Sequence, residues 1–120
     1  MTTIEKISAG LPSRADWAMA ALLIIAKLYR GERVHRYSGA HFDGRKRKLH
    51  STAGISQAEL VLSRAGIAAI EGNDAPRGGI LGSYIELPRG NSRIEAQIME
   101  LHNELHIKKY GRPAFGGTSD

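Results

Sequence analysis

Residues 76–97 read PRGGILGSYIELPRGNSRIEAQ. A glycine turn at Gly78-Gly79 leads into Ile80–Leu87, an apolar run rich in strand formers with Glu86 near its end. Pro88 stops that strand, because proline has no N–H to give to a ladder. After a second turn, Ser92 and Glu95 spell a capping box for a helix over roughly 93–109. Ile94, Ile98, Leu101 and Leu105 recur at helical spacing as its apolar stripe, and Gly111 and Pro113 close it. An acid at a strand end, beside a basic turn and a helix carrying Gln97, is a recurring way to hold a metal ion near a phosphate. The question for every other segment is what it brings to Glu86.

Immediately upstream, Gly72–Gly79 is a turn signal and Ile67–Ile70 a second apolar run, so Ile80–Leu87 returns from it as a strand. The Gly78-Gly79 turn fits a tight hairpin better than a phosphate cradle, since no helix follows it directly. Asp74 reads as a turn former. Residues 57–65, QAELVLSRA, support two readings: their helix propensity is good, yet Glu59–Leu62 also fits a short buried strand. Glu32–Ser38 alternates around Val34 and predicts a short strand, followed by Gly39–Lys48 with turn glycines Gly39 and Gly44.

Residues 14–30 predict a helix, with Ser13 as N-cap and Asp16 completing a variant capping box. Trp17, Ala20, Ala21, Ile24 and Leu28 share one face, while Leu22, Leu23 and Ile25 make it apolar most of the way round. Such a helix must be buried, and the expectation is that it packs across a sheet. Gly31 ends it. Residues 1–12 read as a flexible lead-in, 13–110 as a single domain, and 111–120 as a flexible tail.

A chain of 120 residues, 42% hydrophobic and 24% charged, suits one globular domain rather than a disordered polymer. The formal charge of +5 favours a polyanionic partner such as nucleic acid, through steering rather than fold. A basic run is usually a solvated face. Here Arg36, Arg45, Lys46, Arg47 and Lys48 fall close together, which tips the reading toward phosphate contact; Arg77 and Arg89, at the two turns, extend it. Cysteine is absent, which removes disulfides and thiolate chemistry. The first residues lack the basic-then-apolar order of a signal peptide, and Trp17–Ala26 is too short an apolar run for a bilayer. A cytoplasmic protein with no membrane association is the expectation.

Taken in order, these pieces resemble the small phage-type members of the VRR-NUC family, a branch of the PD-(D/E)XK nucleases. The resemblance covers roughly residues 14–110 and is most specific in Arg77–Leu87 (RGGILGSYIEL), followed by Glu95-Ala96-Gln97. Ser38-Gly39-Ala40 would stand at the family's first turn, Arg45–Lys48 as its basic segment, and Gly54-Ile55 with Ala58-Glu59-Leu60 where Gly-Val and Pro-Asp-Leu belong. The family's lysine, two positions after Glu86, is Pro88 here. The resemblance implies a restriction-endonuclease-like α/β (α+β) fold, a small mixed sheet flanked by an N-terminal and a C-terminal helix. It further implies a DNA-binding, Mg²⁺- or Mn²⁺-dependent endonuclease with Glu59, Glu86 and Gln97 as catalytic residues. Glu59 and Glu86 would be the metal ligands.

Phosphodiester hydrolysis needs a divalent cation to polarise the phosphoryl group and acidify the attacking water. Two carboxylates from neighbouring strand ends suffice for Mg²⁺, which keeps several waters. Without the lysine, a relative that binds DNA without cutting it is the natural variant, since Arg89 is a poor proton carrier. Plainer readings stand beside each candidate: Glu86 as a solvated strand-end residue, Glu59 as a surface acid on a helix, Gln97 as an exposed helix residue. His102 and His106, at i, i+4, lack a visible third ligand.

A reading from another class is a winged-helix DNA-binding regulator. Residues 57–65 would be its recognition helix, Ile67–Leu87 its wing hairpin with Arg77 at the tip, and the last helix would pair two copies as a homodimer. The segment 57–62 separates the two: a strand favours the nuclease, a helix the regulator. A protein–protein inhibitor without chemistry is a third reading that nothing in the sequence excludes.

Overall fold

A computed structural model describes residues 1–36 and 52–114. Along the chain run α1 (Thr3–Gly10), α2 (Ala15–Tyr29), β1 (Val34–His35), α3 (Thr52–Arg64), β2 (Ile70–Asn73), a 3-10 turn (Ile80–Gly82), β3 (Ser83–Glu86) and α4 (Ser92–Tyr110). The class is mixed α+β, helices flanking a small sheet, as the resemblance implied, although the sheet is purely antiparallel rather than mixed.

The core is built on α2. Leu22, Ile24, Ile25 and Leu28 are essentially inaccessible to solvent, and Ala18, Met19, Ala21, Ala26 and Tyr29 are buried with them. Because this helix has almost no polar face, it needs neighbours on several sides. They are chiefly α4 and α3, with β1 a minor contact, so α2 lies among helices rather than across the sheet. Trp17 departs from the expected apolar face: it sits in the first turn, is 41% exposed, and is covered by the Arg14 guanidinium 4.8 Å from its ring. The N-cap is Arg14 rather than Ser13, and Asp16 bonds Arg14 Nε at 2.8 Å instead of closing a capping box.

α4 runs antiparallel to α2. Asn91 N–H donates to the Tyr29 carbonyl at 2.7 Å, and Arg30 pairs with Glu95 at 2.7 Å, which fixes the start of α4 against the end of α2. Since Glu95 is engaged by Arg30, the predicted Ser92–Glu95 box does not form. Asn91 caps the helix instead, its Oδ1 accepting from the N–H groups of Arg93 and Ile94 at 3.1 Å each. Gly111 closes the other end at φ 76°, and Lys108 and Lys109 in the last turn suit the helix dipole. Ile98 is the stripe's fully buried residue, with Ile94, Leu101 and Leu105 packed at the margin of the core.

Residues 1–12 are not a loose lead-in. Thr2 and Glu5 form a reciprocal capping box, and α1 follows with Ile7 wholly buried. α1 packs on α3 and α4, and Arg64 of α3 donates to the Gly10 carbonyl at 3.1 Å where α1 ends.

The sheet has the order β1-β3-β2 and is antiparallel throughout, with Val34 opposite Ile85 and Glu71 opposite Ile85 on the other side. The predicted strand Glu32–Ser38 contracts to Val34–His35 among the described residues. Ile80–Leu87 divides: Ile80–Gly82 is a 3-10 turn, and only Ser83–Glu86 is strand. Period-two alternation then sends Ile85 and Val34 into the core, and Tyr84, Glu86 and His35 to the opposite face. No helix among the described residues is long and apolar enough to cross a membrane.

If α1 belongs to the core, Ile7→Ala lowers unfolding stability by about 2–5 kcal/mol in urea titrations; a detached lead-in would change it hardly at all. His102, 3% exposed on α4, is held below its ordinary pKa of 6.5 by burial and by neighbouring His106. The unfolded chain therefore takes up this proton first. Stability should be full above pH 6.5 and decline as the pH falls from there toward the depressed native value, and His102→Leu should flatten that decline.

Candidate nucleic-acid interface

The two carboxylates expected to end neighbouring strands sit on different kinds of element. Glu59 lies within α3, where Arg36 reaches both of its oxygens, the second at 3.3 Å; the same guanidinium pairs with Glu71 of β2 at 2.7 Å. Arg36, expected to face phosphate, thus ties the end of β1 to α3 and β2. Glu86 ends β3 as predicted, but its partner is Arg33 at 3.3 Å. Between α3 and β2 an open groove of about 440 Å³ has Leu62, Ile67 and Ile85 as its apolar lining and Glu59 and Glu71 as its acids. Glu86 is not among its walls, because strand alternation turns it the other way from Ile85.

Gln97 lines a different groove, between α1 and α4, with Ile4, Glu5, Ser8, Glu100 and Leu101. Among the described residues no group of three His, Cys, Asp or Glu side chains is placed to hold a metal ion. Arg45, Lys46, Arg47 and Lys48 lie outside the described residues, as does the turn at Ser38-Gly39-Ala40. Pro88 and Arg89 are exposed in the turn between β3 and α4.

The segment 57–65, open to two readings in the sequence, is helical through Arg64. Ile55, Ala58, Val61 and Leu62 face the core, and Ala65 just beyond the helix joins them. The opposite stripe carries Ser56, Leu60 and Ser63, at i, i+4 and i+7, all exposed. Glu59, the only acid in α3, is turned aside to Arg36, which leaves that stripe free of carboxylates. At the C-terminal end Gly66 takes φ 74°, and Ile67 N–H reaches back to the Leu62 carbonyl at 2.9 Å, so the chain leaves α3 sharply and enters β2.

The β2–β3 hairpin has a tightly bonded tip. Asn73 donates from Nδ2 to the Gly79 carbonyl and accepts from Ala75 N–H, both at 2.9 Å. Backbone bonds from Asp74 to Gly82, Gly78 to Ala75 and Gly82 to Gly79 complete it. Any Cβ on Gly82 would overlap Ala75 and the Asn73 amide, so only glycine fits there. Three larger side chains remain outside: Arg77, and Ile80 and Leu81 at 61% and 44% exposure. Asp74 points back from the tip, its carboxylate 2.8 Å from His35 Nε2 and 3.7 Å from Arg33.

The outer sheet face is a second packed layer that sequence reasoning missed. The Arg33 guanidinium stacks 4.4 Å from the Tyr84 ring, and His35 meets Tyr84 edge-on with centroids 5.7 Å apart. Tyr84 lies across Gly72, its partner in register on β2, where any side chain would overlap the ring. A glycine inside a strand opposite an aromatic was the available signal.

No protein-family model, curated protein or solved structure matches this chain.

Gly72→Ala should displace Tyr84 and loosen Arg33 and His35 with it, lowering stability by about 1–3 kcal/mol in denaturant titrations, as overpacking does. An unchanged midpoint would show that the aromatic layer is not held by this glycine.

Proposed function

We propose that the chain is a DNA-binding protein of winged-helix type, in which α3 enters the major groove and the β2–β3 hairpin lies against the flanking backbone. The observation that carries this reading is that residues 57–64 are helical and lead directly into an antiparallel hairpin with Arg77 at its tip. An α-helix fits the major groove, and short polar side chains can reach base edges there. Ser56 and Ser63 are such side chains, Gln57 flanks them, and Leu60 suits a thymine methyl. The tip arginine would sit among phosphates, whose contacts orient a protein without specifying sequence. Arg45–Lys48 precede α3 in the chain, and the overall +5 charge favours counterion release. α4, with Ile107 and Tyr110 exposed near its end, is the candidate element for pairing two copies.

Metal-dependent cleavage finds less support. The carboxylates it needs lie on separate elements, each with its own arginine, and the lysine position is Pro88. DNA recognition asks nothing of those acids.

The test is fluorescence anisotropy with a labelled duplex over a range of salt. Wild-type protein should bind in EDTA, with affinity falling as salt rises. Arg77→Ala should weaken binding to all sequences alike and reduce the salt slope by about 1. Ser56→Glu, which sets an acid on the groove-facing stripe, should abolish binding. Unimpaired binding by Ser56→Glu would remove α3 from the interface, and Mg²⁺-dependent cleavage lost in Glu86→Ala would restore the nuclease reading.

A further inference from the structure

We propose that Ile80 and Leu81 form an apolar wedge with which the hairpin tip unstacks and bends DNA, an activity beyond binding that rests on the reading above. Isoleucine and leucine side by side at 61% and 44% exposure are costly to leave in water, and nothing in the hairpin requires them there. The hydrogen bonds that set the backbone turn come from Asn73 and from the backbone around Gly78 and Gly82, not from the side chains of Ile80 and Leu81.

The tip has what a wedge needs. Proteins that kink DNA slip one or two apolar side chains between base steps from the minor-groove side, and bend the duplex by roughly 20–90°. Unstacking a step costs about a few kcal/mol, so the inserting element must not fold back under load. Here Asn73 bonds both arms of the loop, the 3-10 turn carries the two side chains next to each other, and Gly82 packs without a side chain against Ala75. The charge is also suitable. Arg77 stands on the same loop, while Asp74 is drawn back to His35 and Arg33.

A protein partner fits less well. Two side chains on a narrow loop fall far short of the roughly 800 Å² that each side of a stable interface buries. A wedge between base pairs needs only that much.

The experiment uses a short duplex with a donor and an acceptor at its ends and 2-aminopurine in place of adenine at a central TA step. Such pyrimidine–purine steps unstack most easily. Wild-type protein should raise energy transfer between the ends and raise 2-aminopurine fluorescence, and both signals should shrink when an A-tract replaces the TA step. The Ile80→Ser/Leu81→Ser double variant should lose both signals while its affinity stays within a few-fold and its unfolding midpoint is unchanged. Binding by wild type without either signal, or normal bending by the double variant, overturns the proposal. A double variant that bends DNA normally but turns a dimer into a monomer in light scattering assigns the pair to self-association. If wild type binds no duplex at all, the DNA reading falls and takes the wedge with it.

Discussion

A helix that is apolar nearly all the way round has no face to offer water, and α2 is such a helix. Each of Leu22, Ile24, Ile25 and Leu28, once fully buried, contributes on the order of 1.5–3 kcal/mol, provided that neighbours enclose it. α3 and α4 do so on two sides, and α1 fastens both through Ile7. This enclosure determines what the rest of the chain can show to solvent. α3 must commit Ile55, Ala58, Val61 and Leu62 to the core, and its helical period then leaves Ser56, Leu60 and Ser63 outside. The stripe proposed to face DNA is thus the complement of the stripe that buries α2.

The small sheet attaches to this helical core through Val34 of β1, which touches α2, and Ile85 of β3, the middle strand, whose Tyr84 faces outward. Two arginines then join the layers electrostatically. Arg36 holds β1 to α3 and β2 through Glu59 and Glu71, and Arg33 holds the outer face through Glu86, Asp74 and the Tyr84 ring. These pairs are partly exposed and individually modest in energy. Their larger consequence is for the surface field: the acids nearest the hairpin are engaged by arginine, and Arg77 at the tip is left without an opposing carboxylate on its own loop. Charge compensation within the sheet gives the hairpin its sign.

Much of this was legible in the sequence. The long periodic segments of α2 and α4 follow from pattern, and the mixed class from the resemblance; the turn expected at Gly72–Gly79 is shorter, because Gly72 and Asn73 continue β2 opposite Tyr84 and Ser83. The capping residues did not: α2 starts after Arg14 with no side-chain cap at all, and Asn91 displaces Ser92 once Arg30 takes Glu95. α1 carried a readable signal, since Thr2 and Glu5 have capping-box spacing, but eight residues are too few for a strong apolar period. Ile80–Leu87 looked like one strand because apolar content outweighed Gly82, whose contact with Ala75 bends the chain out of the sheet. The segment at Glu59–Leu62 was ambiguous for a physical reason: a short apolar run suits a buried strand as well as a helix, and tertiary packing on α2 decides. The candidate site shared that ambiguity. Glu86 was correctly placed at a strand end, but its partner Arg33, and Glu59's partner Arg36, are far away in the chain and leave no local trace.

The surface proposed to meet DNA is the outer stripe of α3 together with the hairpin tip. Backbone amide chemical shifts of the ¹⁵N-labelled protein, titrated with a short duplex in EDTA, address this directly. Perturbations confined to the exposed stripe of α3 and to residues 76–81 of the hairpin tip are the predicted result. Shifts centred on Glu86 and Glu59 and dependent on added Mg²⁺, with α3's outer stripe and the tip silent, would contradict it.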